Sequence, residues 1–243
     1  MKHRLVLDFG NTLRKIAVFR GSEQLELRAT KDDVIGIIEG FKQLYPNLDS
    51  AILSSVVKID IHLMAYLKIN FHFIYFDHLT RIPIKNNYQT LETLGRDRLA
   101  AAVGAVLIFP QKNVLVIDAG SSITYEIVTK DGEYIGGAIS LGIKMRAKAL
   151  EYFTDQLPLV DTPVEAQLIG NDTLTSLQSG IINGANAEIH GMIQSFSESF
   201  KNLKIILTGG DAKYFEKSLK NNIFASENLV LMGLNYILDY NEL

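Results

Sequence analysis

Apolar and polar positions along the chain follow two regular patterns. Short β-branched runs bounded by turn residues predict strands, and apolar residues three or four positions apart predict amphipathic helices. The strand-like segments cover residues 5–19, 51–57, 71–76, 114–128, 134–142 and 203–210. The helix-like segments cover residues 32–45, 59–69, 96–109, 143–157, 174–200 and 227–240. Strands that alternate with helices in this way predict an α/β fold.

Two of the strand-like segments are similar hairpins about half a chain apart. The first is LVLDFGNTLRKIAVF, residues 5–19, and the second is VLVIDAGSSITYEIV, residues 114–128. In each, an apolar strand ends in Asp-x-Gly, small polar residues follow, and a second strand leads to a glycine turn. A period this long predicts two similar domains rather than a solenoid. We expect one domain at residues 1–109 and the other at residues 110–243.

Composition narrows the class of partner. The formal net charge of −3 gives no general electrostatic attraction for nucleic acid. The chain has no cysteine, which excludes disulfides and thiolate chemistry. Its longest apolar run, residues 99–109, is shorter than the roughly 20 residues of a membrane-spanning helix. We therefore expect a cytoplasmic protein that acts on a small molecule and binds neither nucleic acid nor a membrane.

The tips of the two hairpins carry the residue types that a phosphate site needs. Gly10 and Gly120 allow tight turns whose backbone N–H groups can bind an anion. Neighbouring hydroxyl and amide groups can donate to phosphate oxygens, and Asp8 and Asp118 can face an accompanying cation. A single turn of this kind is more often an ordinary polar hairpin tip. Two copies in duplicated domains favour a pair of phosphate loops.

Three further features have a structural explanation as well as a functional one. Gly209 and Gly210 follow a strand, as in any tight turn, but their position after the second loop fits an adenosine site. Lys15 and Arg14 can reach phosphates or lie on a solvated face, and the solvated face is favoured for Arg14. The histidines lack the spacing of metal ligands and are predicted to be structural.

A third polar group lies between the hairpins, in YQTLETLGRDRLAAAVGA, residues 88–105. Its Gly-Arg-Asp-Arg sequence opens an Ala-rich helix, whose N-terminal N–H groups favour an anion. An Asp in the first turn of a helix is common without any function, and an Arg there is commonly solvated. The functional alternative is that Asp97 accepts the proton of an attacking alcohol while Arg98 binds an anionic part of the same substrate.

These motifs together resemble a known superfamily and, within it, one family. The paired loops and the Gly-Gly turn are similar to those of the acetate and sugar kinase, heat-shock chaperone and actin superfamily. That resemblance implies two duplicated RNase H-like (actin-like ATPase) domains with a nucleotide cleft between them. Five motifs in order along the chain resemble the type III pantothenate kinases. They lie at residues 8–12, 88–98, 118–124, 136–139 and 169–180.

The family resemblance implies a reaction and a set of site residues. The reaction is ATP-dependent phosphorylation of pantothenate to 4'-phosphopantothenate, the first step of coenzyme A biosynthesis. Asp97 is the implied general base, and Thr173 is implied to contact pantothenate from the partner subunit of a homodimer. The other implied pantothenate contacts are Tyr88, Gly95, Arg96 and Arg98. The implied ATP contacts are Asp8, Phe9, Gly10, Asn11, Thr12, Leu13, Arg14, Lys15, Ser121, Thr124, Gly209 and Gly210.

The resemblance also implies two cations. Asp8 would bind Mg²⁺ through water, and Asp118 would bind a monovalent cation, K⁺ or NH₄⁺. The chain departs from the family pattern at several positions. Ser121-Ser122 replaces Thr-Ala in the second loop, and residues 89–93 lack the expected prolines. None of these changes removes a chemical group that the reaction needs.

Two other functions stay open from the residues themselves. A kinase for another small alcohol is one, because the loops specify ATP and not the acceptor. A regulatory or accessory protein of the same fold, which binds nucleotide without turnover, is the other. An intact Asp97 favours catalysis, since a protein that only binds nucleotide has no need for a base there.

Overall fold

The computed structural model describes residues 2–219 and 223–242, which fall into two compact units. The first unit comprises Met1–Pro110, Gly132–Tyr134 and Asn228–Leu243, and the second comprises Gln111–Asp131 and Ile135–Glu227. The units follow the expected boundary at Pro110 but group the last helix with the first half of the chain. As a division into functional domains, residues 1–109 and 110–243 stay a prediction.

The first unit contains a five-stranded sheet and four helices. The strands are β1 (His3–Phe9), β2 (Arg14–Arg20), β3 (Glu23–Thr30), β4 (Leu48–Ser55) and β5 (His72–Tyr75), followed by the short β6 (Lys85–Asn86). The helices are α1 (Val34–Leu44), α2 (Ile61–Asn70), α3 (Arg96–Ile108) and α7 (Leu229–Glu242). The sheet has the order β3-β2-β1-β4-β5. β1 is antiparallel to β2 and parallel to β4.

The second unit repeats this topology. Its strands are β7 (Val114–Ala119), β8 (Ser122–Val128), β9 (Glu133–Leu141), β10 (Lys204–Thr208) and β11 (Phe224–Ala225), although the first two residues of β9 are grouped with the first unit. The second sheet has six strands in the order β11-β10-β7-β8-β9-β6, because β6 pairs with the start of β9. Its helices are α4 (Ile143–Tyr152), α5 (Thr173–Ser199) and α6 (Glu216–Leu219), with a 3₁₀ turn at Ala212–Tyr214. β7 is antiparallel to β8 and parallel to β10. Apart from β6, the strands of each sheet therefore run third, second, first, fourth, fifth, which confirms the α/β fold expected from the repeated hairpins.

Local sequence explains the central strands and the starts of the helices. Residues 5–7 of β1 are all fully buried, as expected for a central strand covered on both faces. α1 begins after Asp33, whose carboxylate accepts the N–H of Gly36 at 2.9 Å. α5 begins with a capping box in which the Asp172 side chain accepts the N–H of Thr175 at 2.7 Å. None of the helices in the described part of the chain combines the length and apolarity that a membrane span requires.

Apart from short strands and turns of two to four residues, the elements differ from the sequence expectation in two places. The helix expected over residues 143–157 ends at Tyr152, because Phe153 is 80% exposed and gains no burial from another helical turn. β3 is an additional strand that was not among the expected segments. Its apolar residues Leu25, Leu27 and Ala29 do alternate with polar ones, but none of its positions is fully buried, so the apolar signal is weak.

α7 packs against α3 at a distance that only glycine allows. A Cβ at Gly233 would lie 1.9 Å from the carbonyl oxygen of Ala100, and a Cβ at Gly104 would lie 2.6 Å from that of Leu229. A side chain at either position would force the helices apart. This contact explains why the last helix belongs to the first unit, and it fixes the helix whose first turn carries the predicted base.

We expect Gly233→Ala to lower the free energy of unfolding by about 1–3 kcal/mol, the usual cost of overpacking. The control is Gly40→Ala in α1, where an added Cβ has no heavy atom within 4 Å. Because Ala is the better helix former by about 1 kcal/mol, the control variant should be as stable as the parent or more stable. Denaturant unfolding measures both variants, and equal effects would contradict the tight contact.

Candidate functional site

The first predicted phosphate loop is the turn between β1 and β2. The N–H of Gly10 donates to the carbonyl oxygen of Leu13 at 3.1 Å. This bond closes a turn in which Asn11 and Thr12 are exposed. A Cβ at Gly10 would meet only the Leu13 carbonyl oxygen, at 3.5 Å, so the protein itself leaves open space at this glycine.

Polar and charged side chains adjoin the first loop where β1 ends. In the sheet, Asp8 lies directly opposite Lys15 on β2 and Ser54 on β4. The Ser54 side chain is fully buried, and its hydroxyl has no hydrogen-bond partner within the described residues. Arg14 is less available for phosphate, because its guanidinium carbon lies 5.3 Å from the centroid of the Phe9 ring. A carboxylate, an amine and a buried hydroxyl are thus neighbours at this edge.

The second predicted phosphate loop lies between β7 and β8. The N–H of Gly120 donates to the carbonyl oxygen of Ser122 at 2.9 Å, and Ser121 is exposed at the tip. Asp118 is paired with Thr124 on β8 and adjoins Thr208 on β10. Its carboxylate therefore lies between two strands that each place a threonine beside it.

The Gly-Gly turn after β10 packs directly on the second loop. Gly209 has a φ of +96°, and a Cβ there would lie 2.3 Å from the Ala119 carbonyl oxygen and 2.5 Å from Oδ1 of Asp118. The N–H of Asp211 donates to the same Ala119 carbonyl oxygen at 2.8 Å. The structure thus brings the predicted adenosine turn and the predicted cation residue together, although they are separated by about ninety positions.

Gly142 also supports the second loop, although the sequence motifs did not indicate it as a site residue. A Cβ at this position would lie 2.2 Å from the carbonyl oxygen of Ser121 and 2.5 Å from that of Gly120. The signal that could have found it is its place at the end of a Gly-rich strand and directly before α4. Any other residue there would displace the loop tip.

The predicted base lies in the first turn of α3. Gly95 is the N-cap residue and has no side chain to cap the helix, and Asp97 accepts the N–H of Arg98 through Oδ1 at 2.9 Å. A Cβ at Gly95 would lie 2.7 Å from that same oxygen. Glycine at the N-cap therefore leaves the space that the Asp97 carboxylate occupies. Arg96 is also on this turn, and its buried Nε has no partner in the part of the chain described.

Tyr88 and Arg98 are close neighbours at the two ends of residues 88–98, which we call the acceptor segment. The guanidinium carbon of Arg98 lies 5.6 Å from the centroid of the Tyr88 ring, within cation–π range. The Arg98 side chain is only 7% exposed despite its charge. The structure thus brings Tyr88, Gly95, Asp97 and Arg98 together within the first unit, as the family motif implies.

Thr173 is the first residue of α5 and belongs to the second unit. It is exposed and lines a cavity of about 670 Å³. Leu150 and Leu157 form part of the apolar wall of this cavity, and Asp172 and Ser176 contribute polar groups. The capping box at Asp172 fixes the backbone on which Thr173 is presented.

Cation sites in this chain would have to use few protein ligands. Across residues 2–219 and 223–242, no three His, Cys, Asp or Glu side chains are grouped as a metal site. The histidines within those ranges are therefore not grouped with other such side chains as metal ligands. Asp8 and Asp118 each remain a single carboxylate beside hydroxyl-bearing neighbours.

Asp211 is a carboxylate of the second unit whose surroundings disfavour its charge. Burial raises the pKa of Asp211, and the nearby ammonium groups of Lys144 and Lys213 offset part of that effect. A raised pKa means that the folded protein binds this proton more tightly than the unfolded chain does. The group therefore contributes stability below its unfolded pKa, and that contribution is lost as the pH rises through the folded pKa.

We expect Asp211→Asn to raise the melting temperature at pH 7, because it removes a charge that the folded state disfavours. The gain should shrink as the pH falls towards about 4, the ordinary pKa of an Asp, where the parent residue takes up its proton. The control is Asp131→Asn, a change at an exposed turn in which Asn-Gly is as suitable as Asp-Gly. Calorimetry across this pH range measures both, and a gain that does not depend on pH would contradict the assignment.

Solved structures with the same fold define the class of this protein. A ROK hexokinase from Thermus thermophilus, 12% identical, aligns over 99% of this chain and 100% of its own with a TM-score of 0.56. A protein from Campylobacter jejuni described as a Baf family transcriptional activator, 21% identical, aligns over 98% of both chains with a TM-score of 0.62. At such low identities these likenesses show the fold alone. The chain is an α/β protein with the actin-like ATPase fold.

The particular family follows from sequence comparison. The sequence model of a family described as "Type III pantothenate kinase" matches residues 4–195. A type III pantothenate kinase from Christiangramia forsetii is 45% identical over 239 residues, which is 98% of each chain. The chain belongs to the type III pantothenate kinase family and is a kinase. This confirms the resemblance carried by the five motifs and favours an enzyme over a nucleotide-binding accessory protein.

Proposed function

We propose that this chain transfers the terminal phosphoryl group of ATP to pantothenate and forms 4'-phosphopantothenate for coenzyme A biosynthesis. Family membership supports the reaction. The structural observation that carries the assignment is the acceptor segment, in which the Asp97 carboxylate lies beside an uncapped helix start and the buried Arg98. A general base and an anion-binding group next to each other suit an acceptor that has both an alcohol and a carboxylate.

Asp97 acts as the general base in this proposal. Its carboxylate accepts the proton of the primary alcohol while the alcohol oxygen attacks the γ-phosphorus, and ADP leaves with the electron pair of the broken P–O bond. Arg98 binds the carboxylate of pantothenate, and Tyr88, Gly95 and Arg96 complete the contacts to the acceptor. Most of the rate enhancement comes from positioning and charge neutralisation, as is usual for phosphoryl transfer.

ATP is bound by the two loops and the Gly-Gly turn. Residues 8–15 form the first set of phosphate contacts, within which Lys15 is better placed than Arg14 because it lies opposite Asp8. In the second unit, Ser121 and Thr124 supply hydroxyl contacts to the phosphates. Residues 209–210 allow the adenosine to approach the backbone.

The residues at each loop fit the two cations that the family implies. The buried and unpartnered hydroxyl of Ser54 beside Asp8 suits a water molecule of a Mg²⁺ hydration shell. At the second loop, Oδ1 of Asp118 and the Ala119 carbonyl oxygen lie together beside the backbone of Gly209, and oxygen ligands of this kind suit K⁺ or NH₄⁺. When bound, these cations would neutralise charge on the triphosphate.

A homodimer completes the proposed acceptor site, with Thr173 of the partner subunit in contact with pantothenate. Exposed apolar side chains near the start of α5 support a covered surface there. Leu168 is 78% exposed and Ile169 is 81% exposed. Adjacent exposed apolar side chains are more typical of a surface that a partner covers than single ones are. A cytoplasmic location stays a prediction from composition.

We expect Asp97→Asn to lower kcat for pantothenate by about 10²- to 10⁴-fold, the usual contribution of a general base. The side-chain oxygen of Asn can still accept the N–H of Arg98, so the fold and the binding of both substrates should persist. A coupled assay for ADP release measures the rate, and calorimetric titration measures the binding of each substrate.

The matched control is Asp60→Asn, which changes the N-cap of α2 and leaves the acceptor segment intact. It should retain parental kcat with at most a modest loss of stability. No turnover of pantothenate by the parent protein, or full turnover by Asp97→Asn, would refute the mechanism. An acceptor screen in the same assay would then identify whether another small alcohol is the substrate.

Gly210→Ala tests the adenosine turn separately from the fold. An added Cβ at Gly210 has no protein atom within 4 Å, so the unliganded protein should keep its stability. If adenosine approaches this backbone, the methyl group will raise KM for ATP by roughly tenfold, equivalent to about 1.4 kcal/mol of lost binding. Gly40→Ala serves as the control and should leave KM for ATP unchanged. An unchanged KM in Gly210→Ala would place the adenosine elsewhere.

A further inference from the structure

We propose that Tyr134 is a positioning residue for the acceptor site, which holds Tyr88, and through Tyr88 the guanidinium of Arg98, in the binding arrangement. This inference rests on the proposed function, because it concerns the same acceptor. Tyr134 lies on β9, outside every motif that indicates the family, yet it belongs to the same compact unit as the acceptor segment.

Backbone hydrogen bonds attach the acceptor segment to the start of β9. β6 and β9 pair in parallel, with Lys85 next to Glu133 and Asn86 next to Tyr134. The N–H of Lys85 donates to the Gly132 carbonyl oxygen, and the N–H of Asn87 donates to that of Tyr134, each at 2.9 Å. The chain is thus fixed immediately before Tyr88. The Lys85–Glu133 ion pair at 2.7 Å is exposed and adds little to this attachment.

The side chains of Tyr134, Tyr88 and Arg98 also contact one another in that order. The Tyr134 ring is fully buried, and its centroid lies 6.2 Å from that of Tyr88 with an interplanar angle of 27°. Arg98 lies 5.6 Å from the centroid of the Tyr88 ring. Tyr88 therefore contacts a rigid aromatic neighbour and a cation, and both interactions restrict its ring. Tyr134 itself need not touch the substrate.

The rest of the acceptor segment offers little else that would order Tyr88. Residues 89–93 are all exposed, and they lack the prolines that would stiffen the backbone. A hydrogen bond from the N–H of Tyr88 to Oδ1 of Asn86, at 3.0 Å, is local to the same segment. The buried Tyr134 ring is accordingly the fixed surface against which Tyr88 is placed.

Tyr134→Leu keeps an apolar side chain on the strand and removes the ring. We expect KM for pantothenate to rise roughly two- to tenfold, the range equivalent to the loss of one aromatic pair. Both kcat and KM for ATP should stay near the parental values, since Asp97 and the ATP loops are unchanged. Tyr134→Phe keeps the ring, so its KM for pantothenate should equal that of the parent protein.

Two comparisons separate positioning from a general loss of stability. Phe19→Leu removes another fully buried ring of the first unit, on β2, and should reduce stability without raising KM for pantothenate. Tyr88→Leu combined with Tyr134→Leu should be no worse than Tyr88→Leu alone, because Tyr134 acts through Tyr88. Additive effects of the pair, or a loss confined to kcat, would overturn the proposal.

Hydrogen exchange in the absence of substrate makes the test independent of the acceptor's identity. Tyr134→Leu should speed exchange of the amides at residues 87–95, while Tyr134→Phe and Phe19→Leu should leave those amides at the parental rate. Unchanged exchange in Tyr134→Leu would overturn the positioning role. If the parent protein fails to phosphorylate pantothenate, the proposed function is refuted, and the exchange result alone then decides the role of Tyr134.

Discussion

Backbone contacts that leave no room for a Cβ fix the parts of this protein on which its site depends. In the second unit, Gly209 and Gly142 press against carbonyl oxygens of the second loop at distances that any side chain would violate. In the first unit, Gly104 and Gly233 bring α7 onto α3, whose first turn carries Asp97. Each such contact has little freedom to relax, because the neighbour is backbone rather than a flexible side chain. The loop and the helix are therefore held by packing before any ligand arrives.

The two predicted phosphate loops share a topology but differ in what surrounds their glycines. The second loop is backed by Gly142 and Gly209, so its shape is determined within the protein. Gly10 of the first loop meets only the Leu13 carbonyl oxygen at an ordinary distance, and a methyl group would fit there in the absence of ligand. The protein's own packing therefore does not require glycine at position 10. The space beside it leaves room for a ligand to approach the backbone closely, as the proposed phosphate contact requires.

Much of this arrangement could be predicted from the chain, and the failures have physical causes. The duplicated hairpins indicated both loops because their turn chemistry is local, and the strand orders of the two sheets agree with the duplication. Tyr134 gave no functional signal, since a buried Tyr in a strand reads as core until its long-range neighbour Tyr88 is known. The grouping of α7 with the first unit was equally hidden, because it arises from Gly104 and Gly233, which are far apart in sequence.

In the proposed mechanism, the acceptor segment divides two electrostatic tasks between neighbouring residues of α3. Arg98 keeps its proton at any working pH, so it offers a permanent positive charge to an anionic acceptor. Burial of such a charge is costly unless its surroundings compensate, and the face of Tyr88 provides part of that compensation. The buried guanidinium of Arg98 thus depends on the Tyr88 ring, and the position of that ring depends in turn on Tyr134. The same proposal assigns proton acceptance to Asp97, so binding of the anionic group and deprotonation of the alcohol fall to different side chains. A buried aromatic residue outside the family motifs can in this way determine how well the motif residues bind the acceptor.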